Sequence, residues 1–290
     1  TESRLASRPF PNEKISVDHP APLGARFDEL GLNESMIQAL KDVGYQRPTP
    51  LQAATIPHLL GSKDVIGQAQ TGTGKTAAFL IPLIELAVRD EKRQTLILTP
   101  TRELAIQVER ELQNLSRGSR LYSVVCVGGT SIRPQISGLR RKNHFVIGTP
   151  GRVLDLITRK ILRPEILSTV VLDEADRMLD MGFIGDIRKI LKETPKDRET
   201  LFFSATISED IKLLIRDFSR DPITISVKKR DITNNIEQDV IRYAGKDKFE
   251  VLTNLLRQQE FARVLIFGAM KHSVEKLSRQ LSTQGIASES

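Results

Sequence analysis

The chain has 290 residues, 39% hydrophobic and 27% charged, which excludes a disordered chain and a membrane-embedded one and allows one large domain or two ordinary ones. A net charge of +7 favours polyanionic partners over cationic ones. The single cysteine, Cys126, excludes an internal disulfide and a zinc site built on several thiolates; flanked by Val124, Val125 and Val127, it is expected to be buried.

Residues 1–26 carry four of the prolines, lack a helical period and contain no apolar leader run, so they read as a tail. From Phe27 the pattern changes. Asn33–Val43 has one apolar stripe, Ile37, Leu40 and Val43, with Asn33 placed to cap it. Short apolar runs then alternate with helical patterns: Val65-Ile66, Thr95–Thr99, Val124–Val127, Phe145–Ile147, Val170–Leu172, Leu201–Phe203 and Ile223–Val227. Several runs are apolar throughout, as strands buried on both faces are. The helix over Glu103–Leu115 repeats Leu104, Val108, Leu112 and Leu115. The apolar stretch Ala77–Val88 holds Pro82 and Glu85 and is too short to span a bilayer. This alternation predicts an α/β fold, a doubly wound parallel sheet with helices on both faces.

Lys228–Asn235 is polar and reads as a linker, 228–236. The pattern then restarts with strands over Val240–Tyr243 and Val264–Phe267 and helices through Phe249, Leu252, Leu255, Leu256 and through Val274, Leu277, Leu281. Residues 237–290 are few for an α/β domain, which suggests a chain cut within its second domain.

Two motifs carry chemistry. Ala69-Gln70-Thr71-Gly72-Thr73-Gly74-Lys75-Thr76 follows one strand and opens an apolar helix. Small residues there let backbone N–H groups turn inward around phosphates, with Lys75 reaching the outer phosphates and the Thr76 hydroxyl joining a Mg²⁺ shell. Asp173-Glu174-Ala175-Asp176 directly follows Val170–Leu172, where a Mg²⁺-holding Asp173 and a water-activating Glu174 belong. The histidines His19, His58, His144 and His272 lack metal spacing. The basic run Arg140-Arg141-Lys142 reads as a solvated surface. With no Trp and three Tyr, a broad base-stacking platform is not expected.

With both motifs in place, the sequence resembles the DEAD-box ATP-dependent RNA helicases, in particular the bacterial RhlE-like group, from Phe27 to about Ala287. The resemblance implies a RecA-like first domain (27–227) and the start of a second (237–290), with ATP and Mg²⁺ as cofactors and RNA as partner. It also implies a cytoplasmic setting, no membrane association and protein partners in RNA decay or ribosome assembly. Gly44 to Gln52, with Phe27 upstream, resembles the adenine-reading segment: Tyr45 offers a ring face and Gln52 both a donor and an acceptor. Pro100-Thr101-Arg102, Gly128-Gly129 and Thr149-Pro150-Gly151-Arg152 resemble strand-gripping elements, so three strand ends should present RNA contacts on one rim. Ser204-Ala205-Thr206 resembles the element coupling ATP state to strand separation, its hydroxyls placed to bond Asp176. The implied activity is ATP-driven local separation of RNA duplexes or remodelling of RNA–protein complexes; the alternative is an ATP-gated RNA clamp or chaperone. The family's later arginine segment, of the His-Arg-x-Gly-Arg type, is not found in the 290 residues, so little activity is expected of this chain alone.

Overall fold

The computed structural model describes residues 14–17, 25–70, 72–227, 239–243, 245, 247–258, 261 and 263–290, the first of these by backbone alone. The chain divides into two compact units, Thr1–Arg230 and Asp231–Ser290.

The elements of the first unit run β1 (Lys14–Val17), α1 (Glu34–Val43), α2 (Pro50–Leu60), β2 (Val65–Gln68), α3 (Lys75–Arg89), β3 (Thr95–Leu98), α4 (Arg102–Leu115), β4 (Ser123–Cys126) and α5 (Ile132–Leu139). They continue with β5 (Phe145–Gly148), α6 (Pro150–Thr158), β6 (Thr169–Asp173), α7 (Ala175–Asp180), α8 (Ile184–Glu193), β7 (Glu199–Ser204), α9 (Glu209–Phe218) and β8 (Ile223–Val227). The strands form one sheet in the order β1-β8-β2-β7-β6-β3-β5-β4, and every neighbouring pair is parallel. The seven strands expected from apolar runs are all present. The eighth, β1, lies within the stretch read from sequence as a tail and pairs in register with β8 at the sheet edge.

Successive strand residues point to opposite faces, which divides the core in two. Ile97, Val171, Leu201 and Phe203 pack with α1–α4 residues such as Leu40, Ile56, Phe79 and Val108. Leu96, Leu98, Val170, Leu172 and Phe202 pack on the other face with Val153, Met178, Ile190 and Leu214 from α6–α9. Cys126 is fully buried there, and burial pushes its thiol up to about 12. Buried Asp64, just before β2, accepts the backbone N–H groups of Thr200 at 2.9 Å and Arg220 at 2.7 Å, and its carbonyl accepts from Ile223. It thereby pins the starts of β7 and β8 to the start of β2.

The second unit contains α10 (Lys248–Leu256), capped by the Asp247 carboxylate, and α11 (Lys271–Thr283). The strands expected over Val240–Tyr243 and Val264–Phe267 do not form: no described residue of this unit lies in a ladder. Leu265 and Phe267 are 79% and 88% exposed. An isolated extended segment has no partner for its N–H and C=O groups, so apolar content alone does not make it a strand.

Candidate functional site

Because all strands are parallel, their carboxyl ends share one rim. From β2 outward, the sheet order places there the loop 69–76 after β2, Ser204–Thr206 at the end of β7, Asp173–Asp176 at the end of β6, Thr101-Arg102 after β3, Thr149–Arg152 after β5 and Gly128-Gly129 after β4. Five strand spacings of about 4.8 Å separate the first from the last, about 24 Å.

The loop after β2 begins with Ala69, whose N–H bonds the Ser204 carbonyl at 3.0 Å. Gln70 follows, its carbonyl accepting the Thr73 hydroxyl at 2.7 Å; Thr71 lies outside the described residues. Gly72 (φ +83°) and Gly74 (φ +82°) are left-handed, a conformation nearly free of strain only for glycine. Gly74 caps α3, so Lys75 and Thr76 occupy its first turn, where N–H groups lack intrahelical partners and the helix end is positive. A side chain at Gly74 would also meet Gln52 Nε2 at 2.5 Å.

Gln52 is 1% exposed and held from both ends. Its Oε1 accepts the Thr49 N–H at 2.9 Å, and its Nε2 donates to the Gly74 carbonyl at 3.2 Å. Thr49 in turn donates its hydroxyl to the Thr73 carbonyl at 3.0 Å. The cap of α2 and the loop are therefore one hydrogen-bonded unit. Each end of the Gln52 amide keeps one further hydrogen-bonding position. Phe27 and Tyr45 meet edge to face at 6.3 Å and line a cavity with Arg26, Asp28, Ile37, Leu40, Lys41, Gln46 and Arg47, a lining that does not include Gln52. Tyr45 is half-buried and anchored at its far end. Its hydroxyl donates to Glu111 Oε1 at 2.8 Å, tying this segment to α4, and burial with the Glu111 charge raises its phenol well above the ordinary range. Phe27 is likewise packed into the core, at 6% exposure.

Asp173 is 2% exposed. Burial pushes its carboxyl up to about 7; the Lys75 ammonium pulls it down and the Glu174 carboxylate pushes it further up. Glu174 adopts a left-handed conformation, φ +51° and ψ +51°, and its carboxylate is paired with Arg177 at 3.2 Å. A dry carboxylate at the end of β6, beside an ammonium and an open helix N-terminus, suits a cation–phosphate pair: the cation answers Asp173, the phosphates answer Lys75 and the α3 amides. Thr76 and Asp173 are the side chains that could hold such a cation.

Asp176 links β6 to β7. Its Oδ2 accepts both the N–H and the hydroxyl of Thr206, at 2.9 and 3.0 Å, and its own N–H donates to Ser204 Oγ at 3.2 Å. Burial alone would raise its carboxyl, but these hydrogen bonds outweigh burial and hold it below the usual range.

The outer half of the rim is cross-braced. Pro100 is buried, and Thr101 caps α4 by accepting the Leu104 N–H at 3.2 Å, which leaves its hydroxyl proton free to donate outward. The exposed Arg102 lies against Gly129 (φ +70°), where a Cβ would come 2.7 Å from Nη1; Gly128 next to it has open space. Arg152 donates from Nη1 to Gln135 Oε1 at 2.9 Å and from Nη2 to the Thr130 carbonyl at 3.4 Å. Gln135, buried, donates to the Val127 carbonyl and to Thr130 Oγ1, both at 3.0 Å. Thr149 caps α6 without a side-chain bond, and Gly151 sits exposed in its first turn. Three strand ends thus place Thr101, Arg102, Gly129 and Arg152 on one rim. Gln135 and Glu111 were not anticipated. A polar residue inside the apolar face of a short helix, as Gln135 is between Ile132, Ile136 and Leu139, is the signal that could have found the first.

A family pattern described as DEAD/DEAH box helicase matches residues 49–214. The DEAD-box ATP-dependent RNA helicase CshA of Bacillus cereus is 46% identical over 265 residues, 91% of this chain and 50% of that protein. CshA of Geobacillus kaustophilus is 45% identical over 265 residues, 91% of this chain and 57% of that protein. The crystal structure of a DEAD box protein from the hyperthermophile Methanococcus jannaschii superposes with a TM-score of 0.68 at 38% identity, covering 94% of this chain and 73% of that one. The chain spans about half the length of the curated relatives it matches. Those relatives carry the name CshA, and the narrower RhlE-like affinity rests on the resemblance alone. With the loop of Lys75 and the acidic end of β6 on one rim, a single strand apart, and the match running through both, the chain belongs to the DEAD/DEAH box helicase family.

Proposed function

We propose that this chain is the ATP-binding portion of an ATP-dependent RNA helicase that separates short RNA duplexes or remodels RNA–protein complexes in the cytoplasm. Residues 27–227 form its RecA-like first domain, 228–236 a linker and 237–290 the start of a second RecA-like domain. The observation that carries this reading is the sheet order. It sets the phosphate loop and Asp173-Glu174 on one half of the rim and Arg102, Gly129 and Arg152 on the other, with the Asp176–Thr206 bridge among the strand ends of the nucleotide half.

Roles follow from position. Adenine is bounded by the Phe27–Tyr45 cavity and read by the remaining donor and acceptor of Gln52. The residues 69–76 turn backbone N–H groups toward phosphates, and Lys75 meets the outermost charge. Mg²⁺, held by Thr76 and Asp173, supplies neutralisation of phosphate charge when bound. Glu174 orients the attacking water and takes its proton. Asp176 binds the end of β6 to Ser204 and Thr206 at the end of β7, so a shift at one strand end reaches its neighbour. The rim arginines and the Thr101 hydroxyl hold RNA by its phosphates, which makes recognition largely independent of sequence. Partners in RNA decay or ribosome assembly fit such a role.

The test is ATP turnover with and without single-stranded RNA, for residues 1–290 and for a longer protein matching the full length of the relatives. The longer protein should be stimulated by RNA and the present chain hardly at all, because a missing arginine finger is worth about 10³–10⁵ in rate. Turnover of the longer protein indifferent to RNA would refute the reading; stimulation without strand separation would favour the clamp.

A further inference from the structure

The +7 net charge of the chain is not spread over it. Residues 112–154 contain seven Lys and Arg and no Asp or Glu, so this stretch alone carries an excess equal to that of the whole protein, and the rest balances to zero. Six of the seven are arginines: Arg117, Arg120, Arg133, Arg140, Arg141 and Arg152, with Lys142. Topology gathers them. The stretch runs from the end of α4 through β4, α5 and β5 to α6, and β4 is the last strand of the sheet.

Two of the seven are already engaged: Arg152 braces the rim, and Lys142 is ion-paired with Glu91. The other five are exposed, and among the described residues none makes an ion pair. Arg133, Arg140 and Arg141 line one shallow groove with Ile136 and Ser137. Arg133 and Arg140 are seven residues apart on and just after α5, two turns on one face, a separation of about 10 Å. Stacked nucleotides rise about 3.4 Å each, so this spans about three phosphates. Gly138 lets the helix lie close to β4: a Cβ there would meet Val124 Cγ2 at 2.8 Å.

The groove is continuous with the rim. α5 begins three residues after Gly129, and its Gln135 is hydrogen-bonded to both Arg152 and Thr130. α5 then runs back from the end of β4 toward the start of β5, leading the arginines from the rim down the edge of the sheet. Arginine's planar fork suits phosphate oxygens better than a lysine point charge.

We infer that Arg133, Arg140 and Arg141 form a second phosphate-binding track, which holds the RNA backbone beyond the strand gripped at the rim. The inference rests on the RNA-binding reading above. An acidic protein segment would also answer the charge, but the unbroken connection to Arg102, Gly129 and Arg152 favours nucleic acid.

The experiment measures binding of fluorescent oligouridylates of about 10 and about 30 nucleotides to residues 1–290 across a salt series. The triple variant Arg133→Gln, Arg140→Gln, Arg141→Gln should weaken the long RNA about tenfold and reduce the slope of log affinity against log salt by about 2, at about 0.7 per phosphate contact. The short RNA should be nearly unaffected. A control triple, Arg163→Gln, Lys192→Gln, Lys196→Gln, removes equal charge from exposed positions elsewhere on the domain and should do much less. Equal losses from both triples, or equal losses for both RNA lengths, would overturn the track. So would a loss confined to a polyglutamate probe. Arg102→Ala should weaken both lengths alike: if it does and the groove variant does not discriminate, only the track fails. If the unaltered chain binds neither RNA, the RNA-binding reading itself falls and the track with it.

Discussion

Gln52 Nε2 donates to the Gly74 carbonyl at 3.2 Å, across 22 residues of sequence. The residue assigned to read a base is thus bonded to the residue that caps the phosphate-binding helix. On the proposed reading, adenine contact and loop geometry share one side chain, so a nucleotide that engages Gln52 also steadies the turn around its own phosphates.

Gln52→Ala should therefore weaken ADP binding by more than one lost base contact. It leaves the Thr49 N–H without its acceptor and removes one of the two donors to the Gly74 carbonyl, which keeps the Ala78 N–H at 3.0 Å; a buried unsatisfied group costs about 1–3 kcal/mol. Calorimetry should show at least a tenfold loss of ADP affinity, and preference over GDP should shrink. A variant that keeps both affinity and preference would separate Gln52 from the nucleotide site.

Lys75→Ala and Glu174→Gln should divide binding from chemistry. In its proposed role Lys75 meets phosphate charge already present in the ground state, so its loss should weaken binding and turnover together. Glu174→Gln should leave ADP and ATP affinity nearly intact while hydrolysis by the longer protein falls by about 10²-fold or more. Near-normal turnover in that variant would remove Glu174 from the reaction.

Thr206→Val keeps the backbone N–H bond to Asp176 and deletes the hydroxyl one. ADP affinity should hardly change, because both atoms donate to Asp176 and neither bonds the 69–76 loop among the described residues. RNA stimulation of the longer protein should fall, and Asp176→Ala should remove it. Stimulation that survives Asp176→Ala would show that the tie between the ends of β6 and β7 has no part in the RNA response.

His144 gives the first domain a pH dependence. Its Nδ1 accepts the Tyr122 N–H at 3.1 Å, and its buried Nε2 has no partner among the described residues. Burial lowers its pKa and Lys142 adds to the effect, against weaker raising contributions from Glu91 and the Tyr122 hydrogen bond. With the folded value depressed, the unfolded chain binds more protons, so stability is full above about 6.5 and is lost as pH falls through the lowered value. Urea midpoints should decline from about pH 7 to about pH 5. His144→Asn, which can still accept from Tyr122, should flatten that decline; an unchanged slope would assign it to other groups.

What the sequence disclosed, and what it hid, follow one physical division. Val170–Leu172 and Leu201–Phe203 were legible as strands because both faces of each are buried, and the loop from Ala69 to Thr76 because its backbone demands glycine at 72 and 74. Lys14–Val17 was not legible. It has only two apolar residues, and its partner, Ile223–Val227, is remote in sequence. Val264–Phe267 misled in the opposite sense: its composition is that of a strand, but pairing needs a neighbour. The braces at the site, Tyr45 to Glu111 and Gln135 to Arg152, join polar residues distant in sequence, and no local period announces them.

Under the catalytic role proposed for Glu174, its left-handed turn sets durability against activity at a single position. A non-glycine residue held at φ +51° costs of order 1–3 kcal/mol, and glycine would relieve much of it. Directed selection for heat resistance alone should therefore drift toward Glu174→Gly and yield hardier, catalytically dead protein. Selection for turnover must keep the strained carboxylate and recover robustness elsewhere, for instance by filling the sheet faces.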